Sequence, residues 1–183
     1  MPRILAGRHK GRVVPCPSEG VRPTLGYVRQ RIFDLLGPAC FAAAPRVLDG
    51  FAGTGALGWE ALSRGASFVT FIEKDPLEAR AISATALKWQ EQARVRVITG
   101  DFFAFSGPLE PVDLVFLDPP YRKDTSRRLV KILARASWVA PSTCIVLEME
   151  KEARLSFPPD WELLKERVAG PSRCFLFRKS AEE

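Results

Sequence analysis

A chain of 183 residues that is 46% apolar and 26% charged has the length and balance of one soluble domain. Disorder, collagen and coiled coil are excluded, and the apolar content suffices for a core without disulfide or metal. The net charge of +6 is confined to one end, because residues 1–31 hold seven cations and one anion while the other 152 hold 20 of each. A basic segment on a neutral body points to a nucleic-acid contact.

In chain order, residues 3–16 alternate around Gly7 and Gly11 and predict a small basic β-hairpin or a pair of short strands. Pro15, Pro17 and Pro23 then impose an extended linker, so the hairpin is expected to be a separable appendage. Val28, Ile32, Leu35 and Leu36 recur at helical spacing, which predicts a helix over 25–36 ended by Gly37-Pro38. Short apolar runs then alternate with longer amphipathic segments. Strands are predicted over 47–49, 68–72, 95–98, 112–117 and 144–148. Helices are predicted after the first strand to Ser63, over 76–89 and over 125–138. The end of the chain differs, since Ala169-Gly170-Pro171-Ser172 lies between two strand-like runs and reads as a hairpin turn. Strand–helix alternation means βαβ units, hence an α/β fold with a mostly parallel seven-stranded sheet and a C-terminal antiparallel hairpin. One domain, 1–183, is expected, with 1–36 as a basic extension and 37–183 as the core.

No segment is long and apolar enough to span a bilayer, and the first ten residues lack the apolar region of a secretory signal. A cytosolic location is expected. Cys16, Cys40, Cys144 and Cys174 form no C-x-x-C pair, and His9 is the sole histidine, so reduced thiols and no metal are expected.

Three constellations carry chemistry. Asp49-Gly50-Phe51-Ala52-Gly53-Thr54-Gly55 follows a strand and opens a helix, where glycines permit close backbone approach and the helix end offers free N–H groups. Asp49 suits a cationic amino-acid group better than a pyrophosphate. Glu73, with Lys74 beside it, closes the second strand where an acid holds two ribose hydroxyls. A nucleoside cofactor is therefore expected. Asp101-Phe102 follows the third strand; Asp101 either accepts from an adenine amino group, with Phe102 beside the ring, or caps a turn. Asp118-Pro119-Pro120-Tyr121 ends the fourth strand. Consecutive prolines present carbonyls but no N–H, so with the Asp118 carboxylate the loop offers acceptors only. That suits an exocyclic amine, and Tyr121 can stack on the base carrying it.

Together these residues resemble the class I S-adenosylmethionine-dependent methyltransferases, whose amino-group subset carries an Asp/Asn-Pro-Pro-Tyr/Phe loop. Arg3-Ile4-Leu5-Ala6-Gly7, Lys10-Gly11-Arg12, Val21-Arg22-Pro23-Thr24 and Val28-Arg29 narrow this. With Gly55-Ala56-Leu57-Gly58, Glu60-Ala61-Leu62-Ser63-Arg64 and Val168-Ala169-Gly170, they resemble the bacterial 16S ribosomal RNA guanine-N2 methyltransferases, the RsmD family. The resemblance implies a Rossmann-like fold, S-adenosylmethionine as cofactor and 16S rRNA as partner, within a 30S subunit or an assembly intermediate. It implies guanine-966 as the target. It further implies cofactor contacts from the Asp49–Gly55 loop, Glu73, Lys74, Asp101 and Phe102, and catalysis by Asp118 to Tyr121. RNA contacts would come from Arg3, Arg8, His9, Lys10, Arg12, Arg22, Thr24 and Arg29.

In that reading Asp118 and the Pro119 carbonyl accept the two amine hydrogens and aim the nitrogen lone pair at the methyl. Three rivals remain. A DNA adenine-N6 methyltransferase would use the same loop. A dinucleotide oxidoreductase would use the glycines but leave Asp118 to Tyr121 unexplained. A non-catalytic RNA-binding scaffold would use only the basic arm.

Overall fold

A computed structural model of the chain describes residues 1–17, 26–105, 110–120, 125–152 and 159–180. Five helices appear among them, α1 (Gly26–Leu36), α2 (Ala39–Ala42), α3 (Ala56–Arg64), α4 (Pro76–Trp89) and α5 (Thr125–Arg135). The strands are β1 (Arg46–Asp49), β2 (Phe68–Glu73), β3 (Val95–Thr99), β4 (Val112–Leu117), β5 (Val139–Glu150), β6 (Trp161–Ala169) and β7 (Ser172–Lys179). They form one sheet in the order β3-β2-β1-β4-β5-β7-β6. The first five are parallel, and β7 runs antiparallel to both β5 and β6. The expected α/β architecture and terminal hairpin are both present.

The central strands bury both faces, as covered parallel strands must. In β4, Leu114 and Phe116 join one apolar cluster with Val28 and Ile32 of α1, Leu62 of α3 and Ile82 of α4. Val115 and Leu117 face the other way, toward Leu129 and Leu133 of α5. Helix α3 lies close on this sheet, because a Cβ at Gly58 would come within 2.3 Å of the Phe71 ring. Only glycine permits that approach.

Two boundaries differ from the sequence reading for identifiable reasons. Helix α5 ends at Arg135 rather than 138, because the Trp138 carbonyl accepts from Val112 N at 3.1 Å and so belongs to the approach to the sheet. Strand β5 begins at Val139 rather than 144, across a register shift opposite β4. There the Thr143 hydroxyl donates to the Val112 carbonyl at 2.6 Å and accepts from Ala140 N at 2.9 Å. The side chain substitutes for missing ladder bonds, so Pro141 is tolerated.

The N-terminal segment departs most. The expected hairpin is present in short form, with one antiparallel bridge, Arg3 to Val13, and Ile4 N and Val14 N donating to the Arg12 and Pro2 carbonyls at 3.0 and 2.9 Å. It is, however, no separable appendage. Ile4 and Val14 are buried in the main core. Glu60 of α3, wholly buried, accepts from Leu5 N at 2.7 Å and Ala6 N at 3.0 Å, while Ser63 Oγ accepts from His9 N at 2.9 Å. At Gly7, φ is +80° and a Cβ would strike the Ser63 carbonyl, so the seam requires glycine there.

Candidate active site

In a doubly wound sheet, ligands bind where the strand order reverses, beyond the carboxyl ends of the strands. Here that point lies between β1 and β4, and a cleft of about 920 Å³ opens there. Its lining brings together Asp49, Phe51, Ala52, Gly53, Thr54, Glu73 and Lys74. Asp101, Phe102, Asp118, Pro119 and Pro120 complete the set from the other loops. Gly55 sits one step behind, as the left-handed residue that opens α3, with φ +77°. Tyr121 lies outside the described residues, as do Arg22 and Thr24.

The local chemistry explains why these side chains hold their places. Asp49 ends β1, and its Oδ2 accepts from Gly58 N at 2.9 Å, satisfying an otherwise open donor in the first turn of α3. Burial nevertheless wins, and with like charge from Asp118 and Glu73 it pushes the Asp49 carboxyl up to about 7. A cation brought into the cleft would reverse that. Glu73 ends β2 and clamps two loops, since Gly53 N donates to Oε2 at 2.6 Å and Asp75 N to Oε1 at 2.7 Å. A carboxylate has about four lone-pair sites, so acceptor capacity remains for a ligand. Asp101 caps the short turn Phe102–Ala104, accepting from Phe103 N at 2.9 Å, so the capping alternative is realised while the residue still borders the cleft. Phe51 packs on Phe102 and Phe103 with ring centroids 5.0 and 5.2 Å apart, and Arg128 lies 4.1 Å over Phe103. That makes one apolar wall.

Asp49 carries a testable sign. Its folded pKa lies above its ordinary value, so between about pH 4 and 7 the folded chain holds a proton that the unfolded chain has released. Stability therefore falls as pH rises through this window. Asp49→Asn keeps an acceptor for Gly58 N but no charge. Its melting temperature should match the native chain near pH 4 and exceed it above pH 7. Parallel pH curves in scanning calorimetry would count against a buried, ionising Asp49.

Sequence reasoning missed the far side of the cleft. Glu148 near the end of β5, Glu150, Glu152 and Ser172 at the start of β7 also line it. Glu148 is only 5% exposed, its Oε1 accepts from Ser172 Oγ at 2.7 Å, and its Oε2 has no partner. Burial, and then the nearby Asp118 charge, raises its pKa. Cys174, opposite it on β7, is pushed up to about 12 by burial, Glu148 and Asp118, which leaves that thiol inert. The available signal was an acid closing an otherwise apolar strand. Among the described residues, seven carboxylates line the cleft against two cations, Lys74 and Arg128.

The basic segment is only partly available to a polyanion. Arg3, Lys10 and Arg12 are exposed, Arg12 over the Trp89 ring at 5.5 Å. Arg8 is half-exposed and pairs with Glu91 at 2.8 Å. Two expected RNA contacts need correction. His9 is buried, bonded to Glu91 at 2.6 Å and packed on Trp89, and Arg29 is buried with its guanidinium donating to the Arg3 carbonyl at 2.7 Å. Both are seam residues that hold the N-terminal turn to the core.

Comparisons with known proteins agree with this geometry. The family model described as conserved hypothetical protein 95 matches residues 2–178. Ribosomal RNA small subunit methyltransferase D of Haemophilus influenzae is 39% identical over 173 residues, covering 92% of this chain and 89% of that one. The protein of the same name from Escherichia coli K12 is 37% identical over 186 residues, covering 98% and 91%. The solved structure of yhhF from Escherichia coli, described as a candidate methyltransferase, superposes with a TM-score of 0.84 at 34% identity over 99% of both chains.

Proposed function

Because the chain belongs to the conserved hypothetical protein 95 family, that of the ribosomal RNA small subunit methyltransferases D, we propose that it methylates the exocyclic N2 of a guanine in 16S ribosomal RNA. S-adenosylmethionine is the donor, and guanine-966 is the target that the family resemblance implies. The observation that carries this reading is the meeting, in one cleft, of the Asp49–Gly55 loop and Glu73 with Asp118-Pro119-Pro120. One half suits a nucleoside bearing a cation; the other suits an amine.

The residues present fit S-adenosylmethionine. Asp49 is a buried acid whose raised pKa a cationic amino-acid group would relieve, and Phe51 and Phe102 offer an apolar wall to an aromatic base. Glu73 would hold the ribose hydroxyls, the loop from Ala52 to Thr54 would border the amino-acid end, and Lys74 and Asp101 the rim. When bound, this cofactor supplies an electrophilic methyl on a sulfonium. The chain supplies orientation. Asp118, half-buried at the end of β4, and the Pro119 carbonyl accept the hydrogens of the target amine, which turns its lone pair outward. Asp118 also faces the positive charge that develops on nitrogen. Tyr121 would stack on the base. Exposed Arg3, Lys10 and Arg12, with Arg22 beyond the described residues, would meet phosphates.

Transfer of labelled methyl to 16S rRNA, to 30S particles and to DNA, followed by mapping of the modified nucleotide, tests the reading. Label in N2-methylguanine supports it, and label only in DNA N6-methyladenine replaces it with the adenine reading. For the cofactor half, Glu73→Ala should weaken S-adenosylmethionine binding at least tenfold, since a hydrogen bond to a charged group is worth about 1.5–3 kcal/mol. Unchanged calorimetric affinity in a folded variant would remove Glu73 from that role.

A further inference from the structure

Resting on the guanine reading above, we propose that Glu148 is the residue that selects the base, its Oε2 accepting the N1–H of guanine while Asp118 takes the neighbouring amine. Strands β4 and β5 are parallel with Leu117 opposite Leu147, so Asp118 and Glu148 are the next residues on adjacent strands. Both line the cleft on its β4–β5 side, away from Glu73 at the end of β2 and Lys74 after it. Glu148 is 95% buried by its 5% exposure, and Ser172 Oγ, donating to Oε1 at 2.7 Å, fixes the plane of the carboxyl. That leaves Oε2 as a buried acceptor with no partner. Buried acceptors are costly to leave unmet, so an orphan bordering a ligand cleft is an acceptor awaiting a donor.

The edge of the base decides which donor. Guanine presents its N2 amine and, adjacent to it, the N1–H; two neighbouring carboxylates match that pair of donors. Adenine presents an amine beside a bare N1 lone pair, which the ionised Glu148 carboxylate would meet as one acceptor against another. Asp118-Pro119-Pro120 alone accepts an amine from either purine, so the discrimination falls to Glu148. Sites that reject an analogue by leaving a buried polar group unpaired discriminate strongly.

The test uses the full chain and a 16S rRNA transcript carrying either guanine or 2-aminopurine at the mapped position. 2-Aminopurine keeps the 2-amine but offers a lone pair at N1. The native chain should prefer guanine by roughly 10²–10³-fold in kcat/KM. Glu148→Gln, whose amide can donate to that lone pair, should lose guanine activity and narrow the preference at least tenfold. The intrinsic reactivities of the two amines cancel when the preferences are compared. A native preference within threefold would overturn the proposal without need of any variant. So would a Glu148→Gln chain that loses both bases equally, because that is what a merely structural role gives. If the native chain methylates no guanine in the RNA, the functional reading itself fails, which is a distinguishable result.

Discussion

Replacement of Asp118 by alanine is expected to cut turnover by about 10²–10³-fold, the cost of removing one preorganised electrostatic partner, and to leave cofactor affinity near native. The separation follows from the layout. Asp118 ends β4, on the amine side of the strand reversal, whereas Glu73, the loop from Ala52 to Thr54 and Asp49 approach from β1 and β2. The Asp118 charge also raises the Asp49 carboxyl, so its removal makes Asp49 easier to ionise and keeps an anion at the amino-acid end of the cleft. Single-turnover methyl transfer, paired with calorimetric titration of S-adenosylmethionine, reads both halves. Full turnover in the alanine variant would make Asp118 structural and leave the acceptor loop without a chemical role.

Deletion of residues 1–16 should unfold the chain rather than merely weaken RNA binding. Glu60 would lose its bonds from Leu5 N and Ala6 N in a fully buried site, and keep Arg64, at 2.7 Å, and the nearby Arg29 charge. Leaving a buried charge short of partners costs about 3–5 kcal/mol. Losing the burial of Ile4 and Val14 adds about 1.5–3 kcal/mol each. A domain has roughly 5–15 kcal/mol in all, so the deletion consumes most of it. Near-ultraviolet circular dichroism and thermal melting decide the matter. A truncated chain that melts cooperatively within a few degrees of the native one would restore the separable arm. The electrostatic part is better read on Lys10→Ala, a residue outside the seam. Each phosphate left without its cation should flatten the logarithmic salt slope by about 0.7–0.9.

Local chemistry explains what could be read in advance. Helix α4 was legible because Asp75 caps it and Pro76 opens it, and β4 because its apolar run ends abruptly at Asp118-Pro119-Pro120. Asp49 and Glu73 were legible because they end strands at a glycine loop, where chain order already implies a site. The fate of His9 and Arg29 was not. A cation count records charge, and only the fold shows that Glu91 and the Arg3 carbonyl lie opposite them. Glu148 was hidden for a similar reason. An acid near the end of a strand looks like a solvated terminus until β7 packs beside it and the register with β4 sets it next to Asp118.

Among the described residues, the imbalance of seven carboxylates against two cations along the cleft acts as a sorting field on any nucleotide that approaches. Phosphate is repelled from such a lining, whereas a neutral base edge rich in N–H groups is drawn in. Exposed basic residues that can hold a backbone stand outside it, Arg3, Lys10 and Arg12 on the N-terminal turn and Arg127, Lys131 and Arg135 on α5. Under the proposed RNA reading, this division of charge favours a backbone held outside and one base turned out of its stack into the acid-lined hollow.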